Sequence, residues 1–234
     1  MTGRLRTLAD SRRPGSVGDR FRQRRFVMFR ELIDSLPGRV RILDVGGTTD
    51  FWERVGYAGH DRVEVVLVNL IEQDAPHDNI TAQVGDATDL SNFADDEFEV
   101  AISNSVIEHL PTLDLQARMA AEMLRVGRRA YVQTPNRYFP VEPHYMFPLF
   151  GVMPMRVRAF LLRRMDLGWH KRQRDPAAAL ADVRSIRLLT GGELRRLFPA
   201  ARIVRERALG LTKSYIVLDG WDEPQPSPAH RSDA

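Results

Sequence analysis

The sequence predicts an α/β fold, a doubly wound and mostly parallel sheet with helices on both faces, closed by an antiparallel C-terminal hairpin. Three observations carry this. The short apolar runs VRILDV, VEVVLVNL, ITAQV, FEVAIS and RAYVQT recur between residues 40 and 134, and such runs without strict alternation suit strands buried on both faces. Helical stretches lie between them, clearest in LDLQARMAAEMLRV at residues 113–126, and that alternation points to parallel strands joined by crossovers. Near the end, ARIVRERAL and KSYIVL read as strands separated only by Gly210, Leu211 and Thr212. A connection that short cannot carry a crossover, so these two strands must be antiparallel.

Taken in order, residues 1–16 are polar, Arg-rich and closed by a Pro-Gly pair, and read as disordered. From Val17 to Leu36 the apolar positions Phe21, Val27, Met28, Leu32 and Leu36 share one side of a helix, which Pro37-Gly38 ends. The globular domain runs over residues 17–222. Within it, the aromatic, Pro-rich and basic stretch 136–185 is too long for a simple loop and reads as an insertion or cap with short helices of its own. The Pro-rich tail, 223–234, reads as disordered.

Composition narrows the function classes. The chain has no cysteine, which excludes disulfides and thiolate metal sites. Its basic N-terminus lacks the apolar core of a secretory signal, and its longest apolar stretch, Met146 to Met155, is broken by Pro148 and Pro154. That stretch is about half the length of a membrane span, so the expected location is cytoplasmic. The net charge of +3 hides an asymmetry: residues 1–41 carry eleven Arg against four acids, and residues 42–104 carry fourteen acids against two Arg. Residues 155–174 return to seven Lys/Arg against one acid. Basic segments flanking an acidic domain can be solvated helix faces, or can meet an anionic substrate, a membrane surface or nucleic acid.

Four polar stretches fall at strand C-termini, the edge where open α/β sheets bind ligands. They are Asp44 to Asp50, Asn69-Leu70, Gly85-Asp86-Ala87 and Ser103-Asn104-Ser105. Here the sequence resembles the class I S-adenosylmethionine-dependent methyltransferases, over about residues 20–219. ILDVGGTTDFW resembles their glycine-rich first motif, and VGDATDL the segment that contacts adenine. EFEVAISNSVIEHL resembles their fourth strand and following helix, and RVGRRAYVQTPNRYFP their fifth strand and its exit.

The resemblance implies a Rossmann-like seven-stranded sheet and S-adenosyl-L-methionine as cofactor. It implies cofactor contacts from Asp44, Gly46, Gly47, Thr48, Asn69, Leu70, Asp86, Ala87 and Asn104. Gly46 and Gly47 let the backbone approach a ligand where a Cβ would collide. A dinucleotide site needs further glycines because a pyrophosphate sits on the helix N-terminus. A cofactor without phosphate tolerates Thr48 and Thr49, whose hydroxyls could bond a carboxylate. Asp44 can stabilise an ammonium, or can hold the turn through backbone N–H groups. Asp86 should face the adenine amino group, with Ala87 offering a backbone N–H, or cap its own turn. Asn69 departs from the family, which mostly has Asp or Glu there to accept from both ribose hydroxyls; an amide offers one acceptor oxygen. Asn69 can hold the ribose less symmetrically, Glu72 can take over, or catalysis has been lost.

Transfer from a sulfonium is an in-line displacement governed mainly by placement of the acceptor, and a hydroxyl acceptor gains from a base near neutrality. The candidates are His144, with Glu142 to orient it, and His109. Each has a structural alternative: His144 can pack in an aromatic cluster with Phe139, Tyr145 and Phe147. No carboxylate cluster for magnesium is evident, so no metal is expected. The insertion joins an apolar stretch to Arg156, Arg158, Arg163 and Arg164. It can form a lid over an amphiphilic substrate, dock residues 145–164 on a membrane interface, or simply pack as a cap. The expected activity is methyl transfer to an oxygen of a small metabolite, saccharide or lipid-linked molecule, with nucleic acid disfavoured. The alternative is a catalytically silent methyltransferase fold serving as a binding or scaffold protein. An NAD-dependent oxidoreductase is disfavoured by the missing third glycine and the antiparallel tail.

Overall fold

The computed structural model describes residues 16–221. The two segments expected to be disordered fall outside these residues, except for Ser16. That residue begins helix α1 (Val17–Asp34), its hydroxyl oxygen accepting a hydrogen bond from the Asp19 N–H at 2.9 Å.

Strands β1 (Val40–Val45), β2 (Val63–Asn69), β3 (Ile80–Val84), β4 (Val100–Asn104) and β5 (Ala130–Pro135) follow the apolar runs closely. Helix α2 (Thr49–Val55) joins β1 to β2, and α3 (Leu113–Val126) joins β4 to β5. The connections 70–79 and 85–99 carry no helix, so the alternation of strand and helix is incomplete around β3. That strand forms one edge of the sheet and is half exposed, so it needs less cover.

After the insertion come α6 (Gly191–Leu197), β8 (Arg202–Ala208) and β9 (Leu211–Asp219). The seven-stranded sheet has the order β3-β2-β1-β4-β5-β9-β8, with β9 antiparallel to both β5 and β8. The hairpin connection is shorter than the three residues expected. Leu209 and Gly210 alone make the turn, at φ of 51° and 78°, while Leu211 and Thr212 already pair with Ala208 and Arg207. Two left-handed residues match the twist of a tight hairpin, which lets the strand start early.

Chain order reverses between β1 and β4, so the C-terminal ends of those strands open the crevice where such sheets take ligands. One face of the sheet is covered by α1 and α2 through Phe29, Ile33 and Trp52. The other is covered by α3 and α6 through Met119, Met123 and Leu194. The insertion contains the small hairpin β6 (Val141–Glu142) and β7 (Phe147–Pro148), then α4 (Met155–Arg164) and α5 (Pro176–Arg184). It has an apolar cluster of its own, built on Tyr145, Phe150, Leu162, Leu167 and Val183. The insertion thus holds short helices around an apolar cluster of its own.

Phe29 ties α1 to the sheet and to the glycine turn. It is buried and meets Trp52 and Phe51 edge-on at 5.8 Å and Tyr131 at 5.2 Å. We expect Phe29→Ala to lower the unfolding free energy by about 3–5 kcal/mol in urea titrations; a loss below about 1 kcal/mol would mean that this contact does not anchor the helix.

Candidate active site

The turn after β1 is fixed by packing that leaves no room for a side chain. Asp44 is 1% exposed, and its Oδ2 accepts from Trp52 Nε1 at 2.8 Å. A Cβ on Gly47 would lie 1.7 Å from that same oxygen, and one on Gly46, at φ +79°, would lie 2.5 Å from Val106 Cγ2. Both positions require glycine. Burial pushes the Asp44 carboxyl up to about 7, only partly offset by the indole N–H. Its Oδ1 has no hydrogen-bond partner among the described residues.

Asn69 closes the turn from β2, its Nδ2 donating to the Gly47 carbonyl at 2.8 Å. A carboxylate could not make that bond, so the departure at this position has a local structural use and leaves the amide oxygen for a ligand. Thr48 caps α2 without a side-chain bond to it. The Thr49 hydroxyl donates instead to the Asp74 carbonyl at 2.6 Å, so only one of the two threonines expected to meet a carboxylate keeps an uncommitted role.

Leu70 projects at the edge, 75% exposed. Asp86 caps its own turn, Oδ1 accepting from the Thr88 N–H at 2.8 Å and from its hydroxyl at 2.9 Å. Ala87 packs against the core. Asn104 ends β4, half-buried, and is followed by Ser105 at φ 60°, whose hydroxyl donates to Gln133 Oε1 at 2.7 Å.

A second group of polar residues lies two positions beyond Val106. The helix expected directly after β4 begins as a 3-10 turn, Ile107–His109, before α3. Glu108 in that turn is fully buried, with Oε2 accepting from Thr134 Oγ1 at 2.9 Å and Oε1 without a partner among the described residues. Burial pushes its carboxyl up to about 7, while the neighbouring His144 works in the opposite direction. His109 is exposed, and its ring meets that of His144 edge-on at 5.1 Å.

His144 Nδ1 lies 2.6 Å from Glu142 Oε1, and Glu142 Oε2 accepts from the Tyr145 N–H at 2.6 Å. Burial disfavours the charged imidazole of His144, but the hydrogen bond and charge of Glu142, with Glu108 beyond, hold its pKa above the ordinary histidine value. Burial and the His144 ring depress His109.

The structure pairs Glu142 with His144 and brings both His109 and Glu108 beside that pair. The aromatic alternative for His144 does not hold. Tyr145 stacks on His170 at 4.2 Å and bonds Asp182, while His144 faces the other way, toward His109. No metal is expected from the sequence; in the structure Glu108, His109 and His144 offer potential ligand atoms within 4.8 Å of one another. The only sequence signal for Glu108 is its place beside His109 in IEHL, because burial of a glutamate cannot be read from its neighbours.

A sheet of this order, a glycine turn at its switch point and a closing antiparallel strand pair define an α/β cofactor-binding fold, that of the class I methyltransferases. The fold is that of the class I S-adenosylmethionine-dependent methyltransferases, a class whose cofactor is S-adenosylmethionine. Residues 45–130 match the family model described as a methyltransferase domain.

A solved S-adenosylmethionine-dependent methyltransferase from Methanosarcina mazei superposes with a TM-score of 0.50 at 14% identity, covering 80% of this chain and 95% of its own. The PH0226 protein of Pyrococcus horikoshii superposes at 0.52 with 17% identity, covering 91% and 93%. At these identities both show the fold alone. The uncharacterized protein Rv1509 of Mycobacterium tuberculosis is 35% identical over 61 residues, 26% of this chain. The match spans only 21% of that protein's length.

The turn fits the cofactor's amino-acid end: two Cβ-free residues leave space, and a buried carboxylate oxygen awaits a donor. An ammonium prefers ionised Asp44, and that fraction rises as pH passes through about 7. Affinity for S-adenosylhomocysteine, measured calorimetrically, should therefore increase severalfold from pH 6 to pH 8. Asp44→Asn should bind weakly and lose that dependence. A flat profile in the unsubstituted protein would remove the ammonium from Asp44.

Proposed function

We propose that this protein transfers the methyl group of S-adenosylmethionine to a hydroxyl oxygen of a small metabolite, saccharide or lipid-linked substrate, and that it works in the cytoplasm. One observation carries the reading: the hydrogen-bonded Glu142–His144 pair lies beside buried Glu108, whose turn follows Val106, and the Val106 side chain abuts the glycine turn. When bound, the cofactor supplies an electrophilic methyl on a sulfonium and leaves as a neutral thioether. Asp44 and the Gly46-Gly47 backbone hold its amino-acid end, and Asn69 accepts from a ribose hydroxyl. Asp86 and Ala87, with Leu70 against the ring, border the adenine, and Asn104 borders the reacting methyl.

The acceptor oxygen gains a C–O bond and loses its proton to His144 Nε2. Nδ1 of the same ring stays bonded to Glu142, which fixes the tautomer. His109 lines the exposed side. Placement of the acceptor supplies much of the rate, and proton removal adds about 10²–10⁴-fold.

The insertion supports an amphiphilic acceptor, or a membrane surface that presents one. Leu149, Val152, Val157, Phe160 and Met165 are exposed on and beside α4, interleaved with exposed Arg156, Arg163 and Arg164. No helix among the described residues is long and apolar enough to cross a membrane, so contact of this kind would be peripheral.

The silent-scaffold alternative rests on Asn69, whose amide is partly committed to Gly47. His144→Gln separates the two. Turnover on a hydroxylated acceptor should fall about 10²-fold or more, with S-adenosylhomocysteine affinity unchanged. Unaltered turnover would remove His144 from the chemistry, and cofactor binding with no methylated product across a broad acceptor screen would favour the scaffold.

A further inference from the structure

We infer that Glu108, His109 and His144 form a binding site for a divalent transition-metal cation of the zinc, cobalt or manganese class. Their ligand atoms lie within 4.8 Å of one another, although they come from two separate parts of the chain, the turn after β4 and the insertion. Ligands of one such ion sit about 2.0–2.2 Å from it, so small side-chain rotations would close the set.

The strongest indication is Glu108. Its carboxyl is wholly buried, Thr134 holds one oxygen, and the other has no partner among the described residues. An unsatisfied buried acceptor is destabilising, and a cation is the partner that a carboxylate flanked by two imidazoles lacks. The turn that carries it is itself held in place. Buried Gln116 donates from Nε2 to the Ile107 carbonyl at 2.9 Å and to the Arg187 carbonyl at 2.8 Å, and the Arg187 N–H donates to the Glu108 carbonyl at 2.7 Å.

A second indication is the arrangement behind His144. With Nδ1 bonded to Glu142, the ring's Nε2 remains as the metal-binding nitrogen. Glu142 cannot rotate freely, because its second oxygen is bonded to the Tyr145 N–H. Carboxylate–histidine pairs of this kind orient metal-bound imidazoles and fix their tautomer. One carboxylate and two imidazoles favour zinc, cobalt, manganese or iron over magnesium or calcium, which prefer oxygen throughout. Three protein ligands leave a position open, and exposed His109 gives that position access from solvent.

This inference rests on the methyltransferase reading only in what fills the open position, namely the acceptor oxygen. With an ion seated, His144 Nε2 would be its ligand and no longer the base; the ion would lower the pKa of a bound acceptor hydroxyl, whose proton would pass to solvent on the exposed His109 side.

The test uses the full chain, stripped with EDTA and titrated with Co²⁺ followed by visible absorption and with Zn²⁺ by calorimetry. One equivalent should bind, and Zn²⁺ should displace Co²⁺. Glu108→Gln, which keeps the size of the side chain, and His109→Ala should each raise the Kd about tenfold or more. Glu142→Gln, which removes no ligand, should raise it about 10–100-fold. Thermal melts of each variant check that the fold survives. Absence of saturable binding, or binding unchanged in both Glu108→Gln and His109→Ala, would overturn the inference. Methyl transfer undiminished by EDTA would overturn only the ion's part in the reaction and leave His144 as base. S-adenosylhomocysteine binding on the same samples tests the methyltransferase reading separately.

Discussion

The bond between Asp44 and Trp52 is the constraint on which the ligand edge depends. A carboxylate enclosed in a parallel sheet carries a large desolvation cost, and the indole N–H answers only one of its oxygens. Holding that bond places Trp52 under the turn, which in turn sets the start of α2 and leaves Gly47 no space for a Cβ. Phe29 and Phe51 then pack on the indole. The aromatic cluster beneath the site and the open backbone above it are thus two consequences of one hydrogen bond.

The same economy appears at Asn69. Read from the sequence, it is a lost carboxylate. In the structure, it is a donor that braces the Gly47 carbonyl from the neighbouring strand. A turn with threonines in place of further glycines has few internal bonds, and a cross-strand amide supplies one. The amide therefore has one acceptor oxygen where a carboxylate would have two, and its nitrogen braces the turn.

The central strands were legible because their apolar runs are long and flanked by turns. Val40 to Val45 and Ile80 to Val84 match the structure residue for residue. The hairpin was legible in direction but not in length, because Leu209 adopts a left-handed conformation that sequence does not advertise for leucine. The missing helices around β3 were hidden because polar, turn-rich segments are compatible with either outcome. Asp44, Gly46 and Gly47 could be read from the motif itself. Glu108 could not: it resembles any surface glutamate at the start of a helix until the sheet, Thr134 and the insertion enclose it.

The insertion needs a core of its own because the cluster depends on where its backbone stands. His144 follows β6, and its carbonyl accepts from the Trp169 N–H at 3.2 Å. Gly168, at φ +54°, approaches so closely that a Cβ there would lie 2.5 Å from the His144 carbonyl oxygen. Tyr145, the next residue, is buried against Phe150 and bonded through its hydroxyl to Asp182 on α5. At the far end, Arg187 bonds the Glu108 carbonyl, Gln116 and Glu193. His144 within the insertion and Arg187 just after it therefore both meet the turn that carries Glu108 and His109, with the insertion's apolar cluster between them in the chain. A flexible loop of the same composition would carry the same histidine without holding it beside Glu108. The packed interior of the insertion thus bears on the geometry of the site as much as on the stability of the fold.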